Sequence, residues 1–459
     1  MTMKRRAFLK NTSASFLAAS SLGGLVSTLS GINAHAANTD GYKALVCVFL
    51  YGGMDNHDTI IPYDTPSYNR WADIRASLLQ THGASRARSS LLQLPVSNPG
   101  NFGSRQFALP PEFSGLHQLF SSGNLSVIGN VGPMIEPVSR TTFEDESVRV
   151  PSRLFSHNDQ QSTWMSGAPE GARFGWAGMF SDLMIQANAN SSKTFTTMTT
   201  GGTELLITGQ QAVPYHIEGG MAPEFEMVED GDELRKLLRQ HVKASKYKSK
   251  SLLQKDMALA SRRAYNTNRS FNRAISGAPT LQSVFPESEL GNQLSSVANS
   301  IAIRDQLGVS RQIYVVSMGG FDTHSSQATA LPLLQSQMDA AIVSFYQAMV
   351  ELGVSNDIIL FTASDFGRTL AINGDGTDHG WAGHHFVVGG SVRGAEIVGD
   401  IPEAELGHDL DAGSGRLIPT LSTDQYAAAL GTWFGLAESD LSALFPDMQN
   451  LGSPPTITV

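Results

Sequence analysis

The sequence predicts an α/β fold in which a mainly parallel central sheet is covered by helices on both faces. Continuous apolar runs recur at Lys43–Tyr51, Leu125–Val131, Gln312–Met318, Ile358–Thr362 and Phe386–Val388. Runs of this length, rich in Val, Ile and Leu, suit strands buried on both faces. Stretches with helical periodicity lie between them, the alternation expected of a parallel sheet. Three of the runs also end alike, in a turn followed by a carboxylate: Asp55, Asp322 and Asp365. Ligands of open α/β sheets bind at the carboxyl ends of the strands, so these acids mark one edge as the place to look for a site.

Residues 1–36 read as an export address. Arg5-Arg6 precedes Phe8-Leu9-Lys10, a weakly apolar Ala/Ser/Leu/Gly run follows, and Ala34-His35-Ala36 offers an A-x-A cleavage pattern, features of a twin-arginine (Tat) signal. No later stretch reaches the roughly 18–20 apolar residues that span a bilayer. The expectation is a periplasmic or otherwise exported protein with no transmembrane segment once the signal is removed. Removal takes Lys4, Arg5, Arg6 and Lys10 from the 32 basic residues and none of the 42 acids, moving the net charge from −10 to −14. That balance argues against nucleic acid as a partner. The single cysteine, Cys47, lies within an apolar run, which excludes a disulfide framework and makes a buried thiol the expected role.

Residues 37–459 are expected to form one domain. The run at 43–51 feeds Gly52-Gly53 and then Asp55, His57 and Asp58. Residues 64–110 read as an excursion with helical pieces, Pro111–Ser122 as a helix and Leu125–Val131 as the second strand. Ser156 is placed to cap a helix that ends at Gly167, and Ser156 or His157 could face a substrate because a helix N-terminus favours anions. Residues 194–217 alternate and turn on Gly201-Gly202, predicting a short hairpin. From 224 to about 300 the pattern becomes helical and polar, basic over 233–273, and predicts a solvated helical insertion. After Gln312–Met318 come Gly319-Gly320-Phe321-Asp322-Thr323-His324. The stripe Met338, Ile342, Phe345, Met349 and Leu352 then predicts a helix packed on the sheet. The stretch after Ile358–Thr362 carries Asp365, Arg368, Asp375, Asp378, His379, His384 and His385, a density of carboxylates and imidazoles that suits a metal. Last comes a capped helix over Ser422–Leu436.

The segments GGMDNHDTIIPY at 52–63, SHNDQQSTWMSG at 156–167, GGFDTHSSQ at 319–327, SDFGRTLAINGDGTDHGWAGHHFVVGG at 364–390 and GRLIPTLSTDQYAAALGTWFGL at 415–436 together resemble a bacterial family catalogued as domain of unknown function fifteen-oh-one, grouped with the alkaline phosphatase and sulfatase superfamily. The resemblance implies an alkaline-phosphatase-like three-layer sandwich and an exported, metal-dependent hydrolase of phosphate or related esters. The ester would belong to a small molecule or a surface polymer. An inactive binding or surface-assembly protein that keeps the fold is the alternative. Carried over by position, it implies a divalent metal (Zn, Ca or Mg) held by Asp55, Asp322, His324, Asp365 and His379, with His384 and His385 as rivals to His379. It makes Ser156 the nucleophile candidate beside His157, and Arg368 could clamp a non-bridging oxygen. Phe366 stands where a further imidazole ligand is expected. Arg149 occupies the cysteine position of a sulfatase-like C-x-P-S-R motif, which excludes formylglycine chemistry there.

Overall fold

The computed structural model describes residues 37–201, 205–223 and 252–459. The signal expectation for 1–36 and the part of the expected insertion at 224–251 lie outside the described residues.

One nine-stranded sheet organises the chain. Its strands are β1 (Lys43–Leu50), β2 (Leu125–Gly132), β3 (Thr197–Thr199), β4 (Tyr215–His216), β5 (Arg311–Met318), β6 (Ile358–Ser364), β7 (Gly383–Val388), β8 (Ile397–Gly399) and β9 (Leu421–Ser422). They lie in the order β8-β2-β7-β6-β1-β5-β3-β4, with β9 also beside β2. Every pairing is parallel except those of β7, which runs antiparallel to both β2 and β6. The hairpin expected over 194–217 is corrected here: β3 and β4 pair in parallel. The connection between them instead carries a short 3-10 turn, Leu205–Ile207.

The period of two in β1 explains why its sequence is apolar throughout. Ala44, Val46, Val48 and Leu50 enter one core cluster, and Leu45, Cys47 and Phe49 enter another on the opposite face. Helices cover each side. The first cluster receives Leu290, Leu294, Val297 and Ile301 from α3 (Glu289–Ala302), and Met338, Ile342, Phe345 and Met349 from α4 (Gln327–Glu351). The second receives Phe180 and Leu183 from α2 (Trp176–Gln186), and Tyr426, Leu430 and Phe434 from α5 (Thr423–Phe434). The fold is thus α/β with a mostly parallel sheet between helical layers. Since α3 packs on the sheet, the 289–302 part of the polar stretch belongs to that covering. Phe271, from the helix Leu252–Ser276, also reaches the first cluster.

Three neighbouring strands end at one edge. Leu50 of β1 is in register with Met318 of β5 and Ser364 of β6, so the residues that follow emerge side by side. Gly52 and Gly53 have φ of +113° and +87°, and a Cβ on Gly52 would lie 2.3 Å from the Asp322 backbone nitrogen. Only glycine lets the loop after β1 pass so close to the loop after β5.

Candidate metal centre

Four side chains meet above this edge. Asp322 follows β5, and His324 lies two residues on. His379 ends a hairpin of Arg368–Asn373 and Gly376–His379 that follows β6. His157 opens α1 (His157–Ser166). The Nε2 atoms of His324, His379 and His157 lie 3.1, 3.2 and 3.5 Å from Asp322 carboxylate oxygens. His324 Nε2 and His379 Nε2 are 2.9 Å apart. One donor atom each from His157, Asp322 and His379 falls within 4.8 Å of the others. Ligands about 2.0–2.2 Å from a tetrahedral ion sit roughly 3.3–3.6 Å from one another, which is the spacing seen around Asp322.

The outer partners fix which ring nitrogen faces inward. His157 Nδ1 is 2.6 Å from Asp365 Oδ2, and His379 Nδ1 is 2.8 Å from the Phe155 carbonyl oxygen. Carboxylate and carbonyl oxygens only accept, so both imidazoles carry their proton on Nδ1. In their neutral forms they turn Nε2 lone pairs towards the Asp322 carboxylate. Acceptors facing acceptors repel unless a proton or a cation lies between them. Hydrogen bonding to Asp365 raises the His157 pKa above its ordinary value, so the proton is the competitor that a metal must displace. Burial holds the His379 pKa below its ordinary value, which favours the lone pair there.

The supporting residues are built in with some strain. Phe155 has φ of +71° and Arg153 +54°, left-handed values that cost non-glycine residues about 1–3 kcal/mol. The kinked loop aims the Phe155 carbonyl at His379. Phe366 fills the floor, its ring 4.5 Å from that of His379 and 4.8 Å from that of His157. Asp365 is fully buried, and while its Oδ2 serves His157 and Gln161, its Oδ1 has no hydrogen-bond partner. A buried carboxylate half satisfied in this way fits a neighbourhood that carries positive charge. Asp322 itself is 44% exposed, so the cluster opens to solvent. The donor set and its outer partners therefore fit a metal ion.

Several expected site residues are placed elsewhere. Asp55 is fully buried in a bidentate pair with Arg75, at 2.6 and 3.1 Å, and also accepts from Gln327 Nε2 at 2.5 Å. Burial alone would raise its carboxyl, but the Arg75 charge and hydrogen bonds outweigh that and hold it low. Asp55 therefore neutralises Arg75 and is not offered to the cluster. His384 is buried in β7, accepting from the Asn130 backbone N–H at 2.9 Å, with its pKa pushed down to about 4 by burial. His385 is enclosed by Trp164 and Tyr426. Neither imidazole makes a hydrogen bond to the four clustered residues. Arg368 is buried too. It donates to Asp322 Oδ1 at 2.7 Å, to the Gly52 carbonyl at 3.1 Å, to Thr377 Oγ1 at 3.2 Å and to the Thr377 carbonyl. Four of its five N–H groups are spent, one on Asp322 and three on Gly52 and Thr377, so it does not serve as a free clamp for substrate oxygen. Ser156 holds the expected N-cap position of α1, but its side chain makes no capping bond; its hydroxyl donates to Asp159 Oδ2 at 3.0 Å.

The family model for proteins of unknown function DUF1501 matches residues 42–443. The chain belongs to that family. No match was found among the curated proteins. Several solved structures align along most of this DUF1501 chain, at low identity. Ps i-CgsB in complex with k-i-k-neocarrahexaose is 9% identical at a TM-score of 0.34, covering 90% of this chain and 78% of that one. The C-terminal periplasmic domain of EcEptC from Escherichia coli is 10% identical at 0.37, covering 88% and 84%. The lipoteichoic acid synthase LtaP from Listeria monocytogenes is 8% identical at 0.31, covering 93% and 81%.

Within this DUF1501 chain, sequence reasoning placed His157 beside a substrate instead of in the donor set, and it passed over Gln161, Arg75 and Gln327. The signal for His157 was its position at the start of a helix after a kinked loop. Asp365 gives the site its first test. Removal of a carboxylate that orients a ligating imidazole costs about 10–100-fold in metal affinity. Asp365→Ala is expected to show such a loss by competitive chelator titration while still taking up metal at saturation. Complete loss of uptake would make Asp365 a ligand itself.

Proposed function

We propose that this chain is an exported, metal-dependent hydrolase of phosphate or related esters. The observation that carries the reading is the meeting of His157, Asp322, His324 and His379, with two of the imidazoles set by Asp365 and the Phe155 carbonyl. Three imidazoles and one carboxylate suit zinc or a similar transition ion better than calcium or magnesium, which prefer oxygen ligands throughout. Such an ion, when bound, would polarise an ester oxygen and make water a stronger acid. The residues of the chain contribute orientation. Asp365 and Phe155 hold the rings, Arg368 holds Asp322, and the exposed side of Asp322 leaves room for a substrate from solution. The twin-arginine signature at 1–36 supports action outside the cytoplasm, on a small-molecule or surface-polymer ester.

Ser156 decides between two routes to the same products. Its hydroxyl is engaged by Asp159, and no hydrogen bond joins it to the cluster. Ser156→Ala is therefore expected to keep bound metal and most of its turnover on aryl phosphates. Loss of turnover with metal retained would instead make Ser156 the attacking group. The test of the reading as a whole is metal content by elemental analysis together with turnover on a panel of aryl phosphate mono- and diesters. Bound metal without turnover on any of them would favour a binding or assembly role. A wild-type protein that takes up no divalent ion would sink the hydrolase reading.

A further inference from the structure

A hydrolase of phosphate-type esters needs a cation free to meet the substrate's charge, and the buried arginines are already committed. Arg75 serves Asp55, Arg86 serves Asp58 and Glu112, Arg368 serves Asp322, and Arg311 donates to the Phe434, Gly41 and Asn38 carbonyls. We propose that Arg416 orients the anionic group of the substrate, which restricts the substrate class to esters that carry negative charge beside the scissile bond. This rests on the metal-centre reading above.

Arg416 is fixed to the wall of the cluster by its own hydrogen bonds. Its Nε donates to the His379 carbonyl oxygen at 2.8 Å, and its Nη1 donates to the Gly413 carbonyl oxygen at 3.1 Å. Its guanidinium lies 5.2 Å from the centre of the Phe155 ring. Phe155 is the residue whose carbonyl sets His379, so Arg416 rides on two parts of the same centre. The side chain is half-buried, and neither of these two bonds uses Nη2. These two bonds hold the guanidinium through Nε and Nη1 and leave the N–H groups of Nη2 for a ligand. A planar fork held in this way matches two oxygens of a phosphoryl group, which a lysine ammonium does not. Arg153, two residues before Phe155, is 70% exposed and reaches Asp159 at 3.4 Å, so it lacks that fixed placement.

The experiment compares wild type, Arg416→Ala and Arg416→Lys as full-length, zinc-loaded protein. Zinc content, affinity for inorganic phosphate by calorimetry, and kcat and KM on an aryl phosphate are measured in parallel. Loss of a charge-assisted pair predicts about a 10- to 100-fold weaker phosphate affinity in Arg416→Ala. KM should rise more than kcat falls, zinc content should hold, and millimolar guanidinium should restore part of the affinity. Arg416→Lys should fall between the two. Unchanged phosphate affinity with zinc retained would overturn the inference and leave the metal centre standing. Loss of zinc in Arg416→Ala that guanidinium does not reverse would also overturn it, making Arg416 a brace for His379. Wild type without zinc would overturn the centre and this inference together.

Discussion

Asp322→Ala is expected to remain folded, to bind no stoichiometric divalent ion and to reduce ester turnover to background. All three imidazoles of the cluster face this carboxylate, at 3.1 to 3.5 Å, and it is the one negatively charged group among the four donors. Its pKa is held low: burial works to raise it, but the hydrogen bond and charge of Arg368 outweigh burial. The carboxylate therefore stays ionised across the neutral range and screens Arg368 from the imidazoles. Without it, a buried guanidinium stands beside three rings, and its field opposes any cation that the rings could hold. The cost to the fold should be modest, about 1–3 kcal/mol, because Arg368 keeps its bonds to Gly52 and Thr377. Elemental analysis after gel filtration in zinc, with circular dichroism on the same sample, would read both effects. An Asp322→Ala protein that still carries one ion per chain would rule out the centre described here.

The strands were legible because burial on both faces leaves an apolar run that no amphipathic helix imitates, as at Leu45–Leu50. The stripe from Met338 to Met349 was legible for the converse reason. Where pairing depends on distant partners the sequence said less. The run at Phe386–Val388 marked a strand, but nothing local marked β7 as the antiparallel member, and the alternation over 194–217 looked like a hairpin although its two strands pair in parallel. The site was legible as a location, since strand, turn and acid recur at Asp55, Asp322 and Asp365. It was not legible as a division of labour. A carboxylate at a strand end can hold a metal, orient a histidine or neutralise an arginine, and the choice depends on which side chain arrives from elsewhere. Asp322 met imidazoles, Asp365 met His157, and Asp55 met Arg75, twenty residues on at the end of a helix that the sequence placed only within a loose excursion.

That last pairing predicts the largest effect on stability. Arg75→Met is expected to destabilise the protein by about 3–5 kcal/mol, the usual cost of stranding one partner of a buried ion pair. Arg75 and Asp55 side chains are 2% and 0% exposed, so solvent cannot take over the lost partner. The same guanidinium also donates to the Thr369 and Leu370 carbonyls, at 2.8 and 3.2 Å, which ties the excursion to the hairpin that carries His379. Gln327 continues the network, donating to Asp55 and accepting from Thr377 and Thr323. Adding Asp55→Asn to Arg75→Met removes the stranded charge, while the amide oxygen can still accept from the His57 and Asp58 backbone N–H groups that Asp55 now caps. The double variant should therefore recover part of the lost stability in urea denaturation and should still bind zinc. If Asp55 were a metal ligand, the pattern would invert: Arg75→Met would be mild, and Asp55→Asn would lose the ion from a stable protein. Zinc content measured beside each denaturation curve separates an acid that holds the sheet edge together from one that holds a metal.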